Sequence, residues 1–409
     1  MPASPSRSRI ALFHPVFGAA GGAEVLALTQ ARFLAELGFG VELVTYAYQP
    51  STWDGRVGDL PVVAFRPAVR GNVRIPRGLN SPEARWAKAQ LPRYDAVMVH
   101  NYPCSTLLGH AGFQGRTIWY CHEPPRNLYP METNPYLHER AGETSLLDPL
   151  ARKYRVGLFQ WRIAMRLGLG RARRRREDLA GVANLGEVWA NSEFTRQNVL
   201  NVYGQRDVKV VYPAIPFPEG PARRRGLDRG GLRVLCLTRL ERVKNVDTVV
   251  RGFARFLSRG GGGGALHIVG EGSDRGHLER LCRRLGVAAS VRFHGFVSDE
   301  ELDRIAAGCD VFALLPIDEP FGMVFPEAAA RGLLLIGPDH GGPLETLEGG
   351  AIGDVVPALS PEALSEALLA VSKLSDEEVG ARRLAAFRSC EARFSLKVLR
   401  RRLEELLLS

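Results

Sequence analysis

Glu319 and Glu327 stand eight positions apart in the stretch 314–332, LLPIDEPFGMVFPEAAARG. Apolar residues 311–315 predict a short strand that stops at Pro316. A loop carrying Asp318, Glu319 and Pro320 follows, and Phe321 and Gly322 open a predicted helix bearing Glu327 about two turns in. A strand, a glycine-containing turn and a helix N-terminus make an anion site, because unpaired N–H groups and the positive end of the helix dipole point outward. At ~1.5 Å rise per helical residue the two carboxylates lie roughly 10 Å apart, too far to share a proton. They suit two hydroxyl-bearing parts of one extended ligand, with its phosphates between them. A nucleotide sugar has that layout.

Other residues are suited to the same ligand. Gly21 and Gly22 precede a predicted helix, where glycine lets backbone approach a phosphate closely or simply tightens a strand–helix turn. Arg239 ends a buried strand-like run and Lys244 follows at a predicted helix start, together able to neutralise a diphosphate without a metal. No D-x-D and no clustered His/Asp set points to a metal ligand group, so none is expected. No G-x-x-x-x-G-K-[ST] is present, which argues against a P-loop. His100 and His122 each sit at a predicted strand end, and Pro124 and Pro125 keep His122 out of a helix. Either histidine can serve a ligand or be structural.

These residues need elements to place them. The apolar runs 9–13, 41–46, 62–65, 96–100 and 117–121 alternate with helical or looped segments, and 188–199 reads as a strand, Ser192 as an N-cap, then a helix. The run 208–217 is the last strand of the first half, and residues 218–231, rich in Pro, Gly and Arg, read as a linker. The second half repeats the pattern with strands at 232–240, 265–270, 291–297, 311–315 and 333–337. Ser298 caps a short helix, and a last amphipathic helix spans 394–408. Such a βαβα rhythm implies α/β domains with parallel sheets, which bind ligands beyond the strand C-termini. Two Rossmann-like domains, 1–217 and 232–394, facing a central cleft are therefore expected. The helix from 395 packs back on the first in this reading.

The chain has 409 residues, 45% hydrophobic and 24% charged, enough for two cores. No apolar run reaches the ~18 residues of a membrane span, and the start, MPASPSRSR, lacks the apolar core of a signal peptide. Six scattered cysteines without a C-x-x-C pair suggest buried free thiols. A cytoplasmic location is expected. The net charge of +10 favours an anionic partner.

Residues 152–176 concentrate ten Arg or Lys with no acid and end in RARRRR. Interleaved Trp161, Ile163, Met165 and Leu167 give an amphipathic character. The segment is either a solvated face or a contact with an anionic membrane surface or a lipid-pyrophosphate acceptor. No nucleic-acid recognition module accompanies it.

Taken together, these motifs resemble glycosyltransferase family 4, with the two-domain GT-B fold and retaining chemistry. The resemblance rests on the E-x7-E element at 319–327, GGAE at 21–24, His122, NSEFTR at 191–196 and LTRLERVKN at 237–245. VGEG at 269–272, FHGFVSDEEL at 293–302 and GGPLE at 341–345 extend it. It implies that Arg239 and Lys244 hold a donor diphosphate, that Glu327 binds ribose and that Glu319 binds the transferred sugar. The backbone of Phe321, Gly322 and Met323 assists Glu319. It further implies that Gly21 and Gly22 meet the diphosphate from the first domain, with Gly270 on the donor side, that His122 contacts the sugar, and that the backbone at Phe296 and Val297 reads the base. CHEPPRNLYP and VVYPAIP are similar to GDP-mannose-dependent mannosyltransferases. A UDP-sugar donor, a soluble sugar acceptor as in sucrose synthase, and a catalytically silent nucleotide-sugar binder are the alternatives.

Overall fold

The structure is a computed structural model describing residues 8–18, 21–67, 79–130, 132–136, 169–204, 207–221, 226–227 and 230–408. These residues form two compact units. The first is drawn from 1–133, 158–213 and 397–409, and the second from 134–157 and 214–396.

The first unit is built on one eight-stranded sheet. Its strands are β1 (Arg9–Phe13), β2 (Val16–Phe17), β3 (Gly40–Tyr48), β4 (Val62–Pro67), β5 (Ala96–His100), β6 (Arg116–Cys121), β7 (Glu187–Ala190) and β8 (Val208–Val210). All pairs are parallel, in the order β4-β3-β1-β5-β6-β7-β8, with β2 extending the β1 side of β3. Both faces are covered, which is why β1, β5 and β6 read as continuous apolar runs rather than alternating ones. The strand order reverses between β1 and β5, opening a crevice beyond their C-terminal ends. His14 follows β1, His100 ends β5 and His122 follows β6, so the sheet delivers three imidazoles to that one edge.

The second unit holds six parallel strands, β9 (Arg233–Leu237), β10 (Ala265–Val269), β11 (Val291–Gly295), β12 (Val311–Ala313), β13 (Leu334–Pro338) and β14 (Asp354–Val356), in the order β11-β10-β9-β12-β13-β14. Here the order reverses between β9 and β12, whose ends lead to Arg239 and to Glu319. The helix Val246–Ser258 buries Val246, Val249, Val250, Phe253 and Phe256 at helical spacing. Each contributes roughly 1.5–3 kcal/mol of apolar burial. That packing fixes the turn just upstream, which carries Lys244.

Several expected boundaries move. The run 208–217 is a strand only to Val210, and Pro213 breaks it. Beyond that point Ile215 N donates to Phe394 O at 2.9 Å and Phe217 packs on Phe387, so the chain joins the second unit before Phe217. Residues 134–136 also belong to the second unit rather than the first. The expected helix at 394–408 is two helices, Asp376–Phe394 and Leu396–Leu408, broken by extended Ser395. The second of them meets the first unit, where Arg116 Nη2 donates to Leu406 O at 2.7 Å and Arg400 lies 3.3 Å from Glu36.

All six cysteines are buried and free. Among the described residues no helix is long and apolar enough to cross a membrane. Most of the basic segment, 152–168, lies outside the described residues. Its end forms the helix Leu169–Ala183, where Arg173 pairs with Glu177 at 2.8 Å and Arg175 pairs with Glu132 while lying over the Tyr129 ring. Arg173 and Arg175 are thus engaged within the fold.

Candidate active site

In the second unit the ends of β9 and β12 carry the charged groups. Past β9, Leu240 N donates to Glu271 O, and Gly270 closes the approach: a Cβ there would lie 1.9 Å from Thr238 O. Only glycine lets the β10 end sit against the loop that presents Arg239. The Arg239 guanidinium is 74% exposed and 3.2 Å from Glu241 Oε1, a solvent-screened pair that yields readily to a phosphate.

Lys244 does not start the next helix as expected. It closes a single 3-10 turn, Arg242–Lys244, and left-handed Asn245 separates it from the helix beginning at Val246. Asn245 is fully buried. Its amide donates to Leu315 O at 2.8 Å and Ala358 O at 2.7 Å, and its own oxygen accepts from Thr248. Ile317 N donates to Val243 O at 3.0 Å. The Lys244 turn and the loop after β12 are therefore stitched together, and Lys244 Nζ lies 2.6 Å from Glu319 Oε2 with both side chains mostly buried.

The Glu319 loop is held from behind by the GGPLE motif. Gly342 N donates to Glu319 O at 2.9 Å, and a Cβ on Gly342 would come within 2.4 Å of Phe321 Cα, so the two backbones touch. His340 Nε2 accepts from Asp318 N at 3.0 Å, while its ring stacks on Tyr136 at 3.6 Å and 9°. Tyr136 N in turn donates to Asp318 Oδ1 at 3.2 Å. Phe321 is buried edge-on against Phe394, Gly322 is left-handed, and Met323 is the N-cap of the helix Val324–Ala330. That helix starts later than expected, placing Glu327 in its first turn rather than two turns in. About half of the spacing from Glu319 is loop, so the helical-rise separation does not apply. Burial pushes the Glu327 carboxyl up to about 7, with Arg331 pulling the other way. Beyond β11, Phe296 is 83% exposed and Val297 half-buried.

In the first unit Gly21 is the extended N-cap of the helix Gly22–Glu36, whose cap carries no side-chain hydrogen bond. His122 is half-buried, and its backbone oxygen accepts from Thr195 Oγ1 at 3.2 Å. Its Nε2 lies 3.0 Å from Nδ1 of buried His100. Burial pushes His122 down to about 3 and His14 to about 4, so these imidazoles are neutral at physiological pH. The loop after His122 is pinned by buried Asp178, which accepts from Thr106, Tyr129 and Tyr203 hydroxyls. Sequence reasoning missed Asp178, Asn245, Tyr136 and His340; Asn245, beside Lys244 in LTRLERVKN, had a signal in its position. Among the described residues no group of three His, Cys, Asp or Glu side chains is placed to hold a metal ion.

Comparison with known proteins matches residues 20–217 to the family described as Glycosyltransferase Family 4 and residues 222–383 to glycosyl transferases group 1. The GDP-mannose-dependent alpha-(1-6)-phosphatidylinositol monomannoside mannosyltransferase of Mycobacterium tuberculosis is 33% identical over 193 residues, 43% of this chain and 50% of that protein. The mannosylfructose-phosphate synthase of Agrobacterium fabrum is 27% identical over 353 residues, 80% of this chain and 74% of that protein. The chain spans between a third and a half of the length of the first curated relatives it matches. In fold it is similar to Anabaena HepE, solved in complex with UDP and glucose, with TM-score 0.72 and 17% identity over 98% of this chain and 100% of that one. With both family matches, two parallel-sheet units and that likeness in fold, the chain belongs to the family 4 glycosyltransferases of the GT-B fold.

Proposed function

We propose that the protein transfers a hexose, mannose from GDP-mannose, to a hydroxyl of a glycan or lipid-linked acceptor, with retention at the anomeric carbon. The observation that carries this reading is the Lys244–Glu319 pair, set at the ends of β9 and β12 where the strand order reverses. Lys244 and Arg239 take the donor diphosphate, Glu319 the hydroxyls of the sugar beside it, and Glu327 the ribose. The backbone N–H groups of Phe321, Gly322 and Met323 assist at the sugar, and the backbone at Phe296 and Val297, with Gly270 behind it, meets the base. In the first unit Gly21 and Gly22 are assigned to the diphosphate and His122 to the sugar.

In this reading the bond from the anomeric carbon to the phosphate oxygen breaks and a bond to the acceptor oxygen forms on the same face. The acceptor proton passes to the departing phosphate. Arg239 and Lys244 stabilise the charge that develops there, which is electrostatic and positional catalysis without a protein nucleophile. The two cations take the part a metal would otherwise play, so turnover is expected to survive chelation.

The mannosyl donor is supported by the names of the mycobacterial and Agrobacterium relatives. A thermal-shift panel of GDP, UDP, ADP and their sugars tests it. GDP-mannose at a hundredfold over its dissociation constant stabilises the fold by roughly 2.7 kcal/mol, enough to rank bases. A larger shift with UDP-glucose transfers the reading to a UDP-sugar donor, and no shift with any nucleotide removes it.

A further inference from the structure

In the first unit His122 belongs to a row of imidazoles whose other two members have no part in the functional reading. His14, His100 and His122 come from three adjacent strand ends, and their rings form a chain: centroids are 6.0 Å apart for His14 and His100 and 5.3 Å for His100 and His122. His100 is fully buried, stacked on Tyr120 at 5.2 Å, and Tyr120 is itself anchored by its hydroxyl donating to Val211 O at 2.7 Å. Its ring is packed between Tyr120 and the two other imidazoles.

A neutral imidazole has one proton for two nitrogens. His100 Nδ1 lies 3.0 Å from His122 Nε2, whereas His100 Nε2 is buried with no hydrogen-bond partner. If His100 carried its proton on Nε2, a buried N–H would be orphaned. Orphaned buried donors are rare and cost more than a bare acceptor. The proton therefore sits on Nδ1 and is donated to His122 Nε2. His14 agrees with this arrangement: its Nδ1 donates to Val16 O at 3.0 Å, leaving its buried Nε2 an acceptor too, with no proton to offer His100.

We propose that His100 is the positioning residue of His122, fixing it as the Nδ1–H tautomer so that the half-buried ring presents a hydrogen-bond donor to an oxygen of the bound sugar. The identity of that ligand rests on the functional reading above; the tautomer does not. His122 then acts neither as a base nor as an acceptor for a sugar hydroxyl. It recognises an oxygen lone pair, which suits a hydroxyl already donating its own proton elsewhere.

The test has two arms. Two-bond nitrogen–proton correlation spectra of the full chain, labelled on histidine, report each tautomer without any ligand. Nδ1–H at His122 is expected in the wild type and in His100→Asn, whose amide N–H replaces the donor. In His100→Asp, which can only accept, the proton moves to Nε2. Nε2–H at His122 in the wild type overturns the proposal. Should His100→Asp fail to fold, His100→Leu serves, since loss of the fixed tautomer is then read as a mixture. In the second arm, kcat/KM for sugar transfer falls about tenfold or more in His100→Asp and recovers in His100→Asn, the scale of one hydrogen bond lost in the transition state. Equal rates in both variants overturn the positioning role. A normal wild-type tautomer with full activity in His122→Phe instead removes the sugar contact and leaves the tautomer standing.

Discussion

Lys244 Nζ lies 2.6 Å from Glu319 Oε2, and the two side chains are only 17% and 19% exposed. In the proposed function a donor phosphate at Lys244 competes with Glu319 for the ammonium and turns the carboxylate toward the sugar hydroxyls. Each ion also neutralises the other while the site is unliganded. Glu319→Ala takes the carboxylate away from a mostly buried ammonium, and Lys244→Ala takes the ammonium away from a mostly buried carboxylate. Each is expected to lower stability by about 1–3 kcal/mol, and the double variant by less than their sum. A thermal-melt double-mutant cycle checks this, and strict additivity sinks it. Turnover is lost in both single variants whatever their stability.

Glu327 makes stability sensitive to pH below neutrality. Burial raises its carboxyl from an ordinary value near 4.5 to about 7, with Arg331 opposing and Asp299 adding a little. The folded protein keeps a proton there that the unfolded chain has released. Stability therefore falls as pH rises from about 4.5 to about 7 and is level above that. If Glu327 takes the ribose as proposed, the hydroxyls donate to the ionised form, and donor affinity moves the other way, strengthening up to tenfold per unit as pH rises toward 7. Calorimetric dissociation constants across this range should show the slope, and Glu327→Gln should abolish it. A wild-type slope retained in the glutamine variant assigns it to another group.

Asn245 is the buried joint behind Lys244. Its amide donates to two carbonyls that are distant in sequence, Leu315 O and Ala358 O. Asn245→Asp sets a carboxylate against both oxygens and is expected to destabilise by more than Asn245→Ala, which at three lost hydrogen bonds costs about 2–4 kcal/mol. Denaturant midpoints measure both. The reverse ranking would show that backbone strain at this left-handed position, not the hydrogen bonds, sets the cost.

The strands and most motif positions were legible because both sheets are buried on two faces. Uninterrupted apolar runs such as 10–13 and 96–99 then mark strands without competition from an amphipathic pattern. Ser192 and Ser298 could be read as N-caps from their own position, and both side chains accept from the third backbone N–H beyond them. Illegible were the pairings made by folding alone. Nothing local announces that Asp178 collects three hydroxyls from residues 25 to 72 positions away, or that 134–136 leave the first unit to sit on the loop bearing Glu319. The helix start at Val324 was hidden for another reason. Left-handed Gly322 suits a tight turn as well as a helix entrance, and the turn won.

The arginine run 173–176 holds half-buried and exposed members. Arg175 pairs with Glu132 and covers the Tyr129 ring at 4.8 Å, which steadies the loop leading from His122. Arg175→Glu is expected to lower the melting temperature by several degrees, since about 1 kcal/mol shifts a domain of this size by roughly 2–4 °C. Arg173 is 74% exposed despite its pair with Glu177, and Arg176 is exposed as well. If an anionic membrane surface is the partner of this face, reversing these two leaves the melt unchanged and weakens co-sedimentation with phosphatidylserine vesicles, at about 1 kcal/mol per arginine. Full binding by the Arg173→Glu, Arg176→Glu protein would assign the run to solvation and to holding Tyr129.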